Sequence, residues 1–452
     1  MKLKLTALFC SMQAIGLMAT TPVVSDVTVT PAGDRIYANS SFSYTISGEP
    51  GIVTFHLETN GVPVDCPYVN VSGDMNMFVQ PGKHSFAWRN DLDLPGATIR
   101  SKDCRLVVKA WSTNSPPDYL VYNLATPSEA PRYYEKAADV PGGVTATKYK
   151  TTHLVMRRIH AAGQSFIMGT PANDPAYNSQ KPGTGLHEVA FTRDFYIGIY
   201  ELTFGQMLKA KSSGSTVVTA YYNVYGPGKS KDNAELYAEV RRTDDLHYSR
   251  AAAMTQYKWY WFGTGNVYPA SGKTCASSMY MQAFRTATGN PTMFLPTSYQ
   301  WEFACRAGCS ARLYSGSRAS SGDEVDALGW HSGNNTDDPD WYKVEGLDLY
   351  LPHVVGLKRP NAWGLYDMLG NVGEICADIT SDTPLTNADG TPIVDPTGPY
   401  VATNLDKTHP LCGGDLKTAS TYLCAGYWTA FATTGGELNV GFRLVCDVEV
   451  SR

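Results

Sequence analysis

Two carboxylates seven residues apart, Asp367 and Glu374, flank a Gly-Asn step in the stretch NAWGLYDMLGNVGEICAD, residues 361–378. Like charges held in so short a loop need a cation, a network of hydrogen-bond donors, or separation. A loop that alternates carboxylates with backbone carbonyls can deliver several of the roughly six to eight oxygens that Ca2+ takes, and Gly370 lets the backbone turn inward. The other solution is a protein cation, with Asp367 capping a turn and Glu374 paired with an arginine such as Arg443 or Arg306. Cysteines are the second reactive set. The chain has ten, and nine remain beyond Cys10: Cys66, Cys104, Cys275, Cys305, Cys309, Cys376, Cys412, Cys424 and Cys446. In an oxidising compartment most should pair, with one thiol left over, either buried and inert or reactive.

The elements that must hold these groups differ along the chain. The opening MKLKLTALFCSMQAIGLMAT joins two early lysines to an apolar run followed by small residues and Pro22. It predicts an export signal over residues 1–21, with a periplasmic, cell-surface or extracellular destination; a short buried helix is the alternative. No later segment reaches about 18 apolar residues, so no membrane span is expected. The 452 residues are 43% hydrophobic and 17% charged, enough for two or three folded domains. A net charge of −5 without long runs of either sign excludes a phosphate-tracking surface, and nucleic acid with it.

Over residues 22–126 short runs alternate apolar and polar residues (SFSYTIS, GIVTFHLET, CRLVVKAW) and break at PAGD, GEPG, TNG and QPGK. This predicts antiparallel strands in a β-sandwich of immunoglobulin or fibronectin type, clamped by its two cysteines, Cys66 and Cys104. Prolines in TNSPPDY and TPSEAPR then predict a linker over 127–150. Residues 151–448 read differently, as long irregular stretches rich in Gly, Tyr, Trp and Asn with three helices. One follows Thr297, with Gln300 completing a capping box and Gly308 ending it; Thr203 and Gln206 repeat the device; a third covers TCASSMYMQAFRTATG and stops at Gly289.

The blocks FIMGT (166–170), FYIGIYELTFGQM (195–207), LPTSYQWEFACRAG (295–308), NAWGLYDMLGNVGE (361–374), CGGD (412–415) and NVGFRLV (439–445), in that order, resemble the formylglycine-generating enzyme family, also called sulfatase-modifying factor domains. The resemblance covers about residues 150–448. It implies an α+β chain: a C-type-lectin-like variant fold with little regular secondary structure, behind the amino-terminal sandwich. It further implies that the opening loop binds calcium through the side chains of Asp367 and Glu374 and the carbonyls of Gly370 and Val372. Family members commonly carry tryptophan on both sides of this glutamate, where Gly373 and Ile375 stand here.

The family oxidises a sulfatase cysteine to formylglycine with O2 and copper(I) held by two cysteines after the Gly-Gly block, and two thiolates suit that soft ion. In CGGDLKTASTYLC the first copper-cysteine position falls on Thr418 and the second on Leu423, one residue before Cys424; the family's serine after the glycines is Asp415. A one-residue insertion brings Cys424 into register, but no shift supplies the first thiol. Cys412, beside Gly413, is the remaining substitute. The resemblance also implies a Cys305–Cys446 disulfide and gives Asn439 a place in the active-site cleft, although a turn residue ahead of a strand would serve as well there. Arg443 and Glu302 match positions that look like buried or bridging charges. Cys376 with Cys424, and Cys309 with Cys275, are further candidate pairs.

Two functions survive: an oxidase, with Cys424 and Asn439 in its site, and a non-catalytic module presenting the cleft to a sulfatase-like protein, a peptide or a glycan. Thr418 separates them and favours binding. The sequence has no G-x-S-x-G elbow, Walker loop, zinc-cysteine spacing or H-x-x-x-H helix pair.

Overall fold

The computed structural model describes residues 21–30, 34–36, 40–66, 68–177, 185–210, 280–336, 343–344, 349–350, 352–378, 387, 390–396, 408–432 and 439–448. The expected export signal and Cys275 lie outside the described residues.

The amino-terminal runs form strands that alternate burial as their pattern requires. Ser41–Ser47 buries Phe42, Tyr44 and Ile46 and exposes both ends. It lies between Val23–Thr30 and Gly82–Trp88 in a four-stranded sheet. A second sheet pairs Cys104–Trp111 with Gly51–Thr59 in unbroken antiparallel register. Phe42, Tyr44 and Ile46 of the first sheet and Val53, Phe55 and Leu57 of the second join one buried cluster around Trp88.

Beyond this unit the framework is a five-stranded antiparallel sheet in the order Arg132–Tyr134, Tyr119–Asn123, His153–Ile159, Phe195–Gly198, Val445–Asp447. Within the stretch expected as a linker, 127–150, Tyr133, Tyr134 and Tyr149 are buried, and Tyr119–Asn123 pairs in this sheet. Prolines stop the ladder locally, but the apolar residues between them still find a core.

A second sheet places the site. Its order is Trp428–Ala432, Thr408–Cys412, Gly373–Ile375, Val440–Gly441, with the last pair parallel. Helices are few. Ser298–Arg306 starts on a capping box, with Thr297 Oγ1 accepting from Gln300 N and Gln300 Oε1 from Thr297 N, and ends on left-handed Ala307 at φ 48°, one residue before Gly308. Each such cap is worth about 1 kcal/mol. Thr203 and Gln206 make the same reciprocal bonds at the start of Phe204–Ala210. The third helix spans Tyr280–Thr288 and stops at Gly289; the start of the expected run lies outside the described residues.

Candidate functional site

Asn361 fixes the start of the 361–378 loop. Its Nδ2 donates to the carbonyls of Ala304 and Cys305 at 2.7 and 3.1 Å, tying the loop to the end of the Ser298–Arg306 helix. The loop then turns through residues with positive φ: Asp367 at 54°, Gly370 at 77° and Asn371 at 60°. Gly370 is required sterically as well, because a Cβ there would sit 2.0 Å from the Trp330 carbonyl oxygen.

The turn delivers Glu374 to a guanidinium. Arg443 Nε donates to Glu374 Oε2 at 2.6 Å and Nη2 to Oε1 at 2.5 Å, and Trp301 Nε1 adds a bond to Oε2 at 2.9 Å. Neither charged side chain is more than 1% exposed. Arg443 spends its other donors on the carbonyls of Gly198 and Tyr366, both at 3.1 Å. Both carboxylate oxygens thus face protein donors in a bidentate, charge-assisted pair.

Calcium through Glu374 therefore does not fit this geometry: both of its oxygens are engaged by protein donors, and a metal ion would have to displace a buried guanidinium. Asp367 accepts from Gly356 N at 2.6 Å through Oδ2, while its Oδ1 is buried without a hydrogen-bond partner. Gly370 and Val372 use their amides inward, Gly370 to the Gly413 carbonyl and Val372 to Glu201 Oε1. Among the described residues no three His, Cys, Asp or Glu side chains converge as a metal cluster. The protein cation that meets Glu374 is Arg443, whereas Arg306 pairs with Glu302 at 2.6 Å.

Glu201 is the residue that sequence reasoning missed. It is fully buried and accepts from Asn371 Nδ2 at 2.6 Å. Burial, followed by the charges of Asp367 and Glu374, pushes its carboxyl well above the usual carboxylate range, and burial raises Asp367 to about 6. An acid inside the otherwise apolar run FYIGIYEL was the available signal.

The Gly413–Gly414 turn, at φ 87° and 72°, leads into a second polar cluster. Asp415 Oδ1 accepts from the Lys417 and Thr418 amides at 2.8 and 2.9 Å and from Thr418 Oγ1 at 3.0 Å. Asn439 Nδ2 donates to Asp415 Oδ2, and Asn439 Oδ1 is buried with no partner. Thr418 and Asn439 thus meet at Asp415. Cys424 does not join them. Its thiol, pushed up to about 11 by burial against a smaller opposing pull from Arg312, lines a separate cavity. A thiol in that state is not a ready nucleophile at neutral pH.

That cavity, about 880 Å³, has Phe166, Phe303 and Trp363 among its walls with Arg306, Arg312, Arg318, Cys309 and Cys424. Arg306 Nη2 donates to the Gly169 carbonyl and Arg312 pairs with Asp174, so loop and helix are cross-braced beside the opening. Ile167 and Leu186, also on its lining, are more than half exposed. Its volume lies in the range of small-molecule sites, and its walls mix aromatic rings with three arginines.

The cysteines of the described residues are free thiols. Three expected bonds, Cys66–Cys104, Cys305–Cys446 and Cys376–Cys424, are thus not formed in this structure: Cys305 Sγ approaches the Met368 carbonyl and Cys446 Sγ the Met156 sulfur, each at 3.8 Å, in different core clusters. The sulfurs brought together are those of Cys376 and Cys412.

Residues 145–448 match the family model described as a sulfatase-modifying factor enzyme 1-like domain. A formylglycine-generating enzyme of Streptomyces coelicolor is 30% identical over 162 residues, 35% of this chain and 48% of the relative. One from Thermomonospora curvata is 32% identical over 159 residues, 34% of this chain and 49% of the relative. The chain thus spans about half the length of the curated relatives it matches. Among solved structures, PvdO from Pseudomonas aeruginosa aligns with a TM-score of 0.41 and 20% identity, over 65% of this chain and 94% of that one. With two thirds of its length under the family model, the chain belongs to the family of sulfatase-modifying factor enzyme 1-like domains.

Proposed function

We propose that this chain is an exported, divergent member of the family that acts as a binding module, holding a peptide or glycan in the cavity walled by Phe166, Phe303 and Trp363. The observation that carries the reading is at Thr418. Where the family resemblance calls for the first copper thiolate, a hydroxyl is bonded to Asp415, and Cys424 lines the cavity. One buried thiol is a weak grip on copper(I), and a hydroxyl is a poor ligand for so soft an ion. The amino-terminal pair of sheets with its shared core supports reading that unit as an immunoglobulin- or fibronectin-like β-sandwich. An α+β, C-type-lectin-like description of the rest belongs to the same proposal, as does the leader over residues 1–21. Calcium does not enter it, because Glu374 is already neutralised by Arg443.

The second reading is an oxidase converting a sulfatase cysteine to formylglycine with O2 and copper. Two observations favour it: the names of the curated relatives, and the place of Cys424 on a cavity wall large enough for a peptide. Incubation with a sulfatase-type cysteine peptide, copper and oxygen separates the two. The binding reading expects an unchanged peptide mass; loss of sulfur with gain of a carbonyl would establish the oxidase.

A further inference from the structure

We propose that Cys376 and Cys412 are the two halves of a native disulfide, one that joins the strand carrying Glu374 to the strand running into the Gly413–Gly414 turn. The sulfurs lie 3.6 Å apart, and the residues are 0% and 4% exposed. Register puts them there: Glu374 stands opposite Cys412, and Cys376 N donates to the Pro410 carbonyl at 2.9 Å, so the two cysteines form a diagonal cross-strand pair. Cys376 lies one residue past the Gly373–Ile375 strand and Cys412 ends the Thr408–Cys412 strand. A disulfide needs the sulfurs at about 2.05 Å, and strand ends can supply that approach by side-chain rotation with a small backbone shift.

Two close thiols could also hold a soft metal ion, and charge decides against it. A metal needs both as thiolates. Burial pushes both thiols up, and the carboxylates of Asp378 and Glu374 push in the same direction. A disulfide is neutral and carries no such desolvation cost. Formation balances by exchange with a small disulfide such as oxidised glutathione. One cysteine thiolate attacks it, giving a protein–glutathione mixed disulfide and one reduced glutathione. The other cysteine then attacks the protein sulfur and releases the second. The two thiol protons are lost and two electrons pass to the oxidant. Burial places this exchange during assembly of the sheet, before the core closes over it. The bond would leave Cys424 single, in contrast to a Cys376–Cys424 pairing.

The test maps thiols in the whole chain folded in reduced and oxidised glutathione, its fold verified by a cooperative thermal transition. The folded, oxidised protein is then unfolded in denaturant with the alkylating reagent present, so that buried free thiols are captured, and is digested without reduction and analysed by mass spectrometry. The expected product is one peptide pair joined through Cys376 and Cys412, two hydrogens lighter than its parts, with Cys424 alkylated. Reductant should split that pair and lower Tm by about 5 °C. In Cys412→Ser, Cys376 should be recovered alkylated. Alkylation of both Cys376 and Cys412 when the oxidised parent is unfolded in the reagent would overturn the proposal, and so would a Cys376–Cys424 link.

Discussion

Arg443 grips both oxygens of Glu374, Nε to one at 2.6 Å and Nη2 to the other at 2.5 Å, inside a core where neither side chain is more than 1% exposed. The pair joins the strand that leaves the 361–378 loop to the segment after Val440–Gly441, and so fixes the relation of the loop to the rest of the second sheet. Removing one partner leaves the other charged and unpaired in the interior. Arg443→Met should therefore cost about 3–5 kcal/mol in urea unfolding, and the double variant Arg443→Met/Glu374→Leu should recover much of it. A single-variant cost under about 1 kcal/mol would mean that the pair is not held as described.

Burial first, and the neighbouring carboxylates after it, push the Glu201 carboxyl well above the usual carboxylate range, so its charge is the costly state in this core. Glutamine copies a neutral carboxylic acid. Glu201→Ala should lose about 2 kcal/mol by orphaning Asn371 Nδ2 and the Val372 amide, and Glu201→Gln, which keeps one of the two accepting oxygens, should lose less. A Gln variant as damaged as the Ala variant at pH 8 would show that the charge is needed.

Asp378 gives the pH dependence a sign. Burial raises its carboxyl to about 6, against the opposing bonds from Ser298 N and Oγ, both at 2.6 Å. A raised acid contributes stability that is fully present below its unfolded value, near 4, and is lost as pH rises through the folded value. Asp378→Asn removes this dependence, so the parent should lose stability relative to the variant between pH 4 and 7, by on the order of 3 kcal/mol. His409 runs the other way: burial lowers it to about 4, so its contribution is full above about 6.5 and falls on acidification. A parent-to-variant difference that is flat across this range would contradict the Asp378 assignment.

Calcium should leave the protein unmoved. With both Glu374 oxygens engaged, millimolar CaCl2 should shift Tm by less than about 1 °C and chelation should do the same. A rise of several degrees that disappears in Asp367→Ala would restore an ion to the loop, through the open Asp367 Oδ1.

What the sequence made legible were features set within a few residues of one another. Thr297 with Gln300 and Thr203 with Gln206 were readable because a capping box is a spacing of three. Glu374 facing either a metal or an arginine was readable as a pair of alternatives, since the excess of acid in the loop demanded one of them; choosing Arg443 required the strand pairing of Gly373–Ile375 with Val440–Gly441. Cysteine partners were not legible, because Cys376 meets Cys412 only through the register that sets Glu374 opposite Cys412. The strand Arg132–Tyr134 was hidden by its flanking prolines, and the place of Cys424 on the cavity wall depends on how the chain folds after Gly414. Long-range register, not local propensity, accounts for each of these misses.

The proposed binding role requires that Thr418 and Cys424 form no copper(I) site, and retained copper(I) reports on that directly. Parent protein and Cys424→Ala, loaded with copper(I) and equilibrated against a competing chelator, should keep the same small amount of metal. One tightly held equivalent in the parent that vanishes in Cys424→Ala would contradict the account.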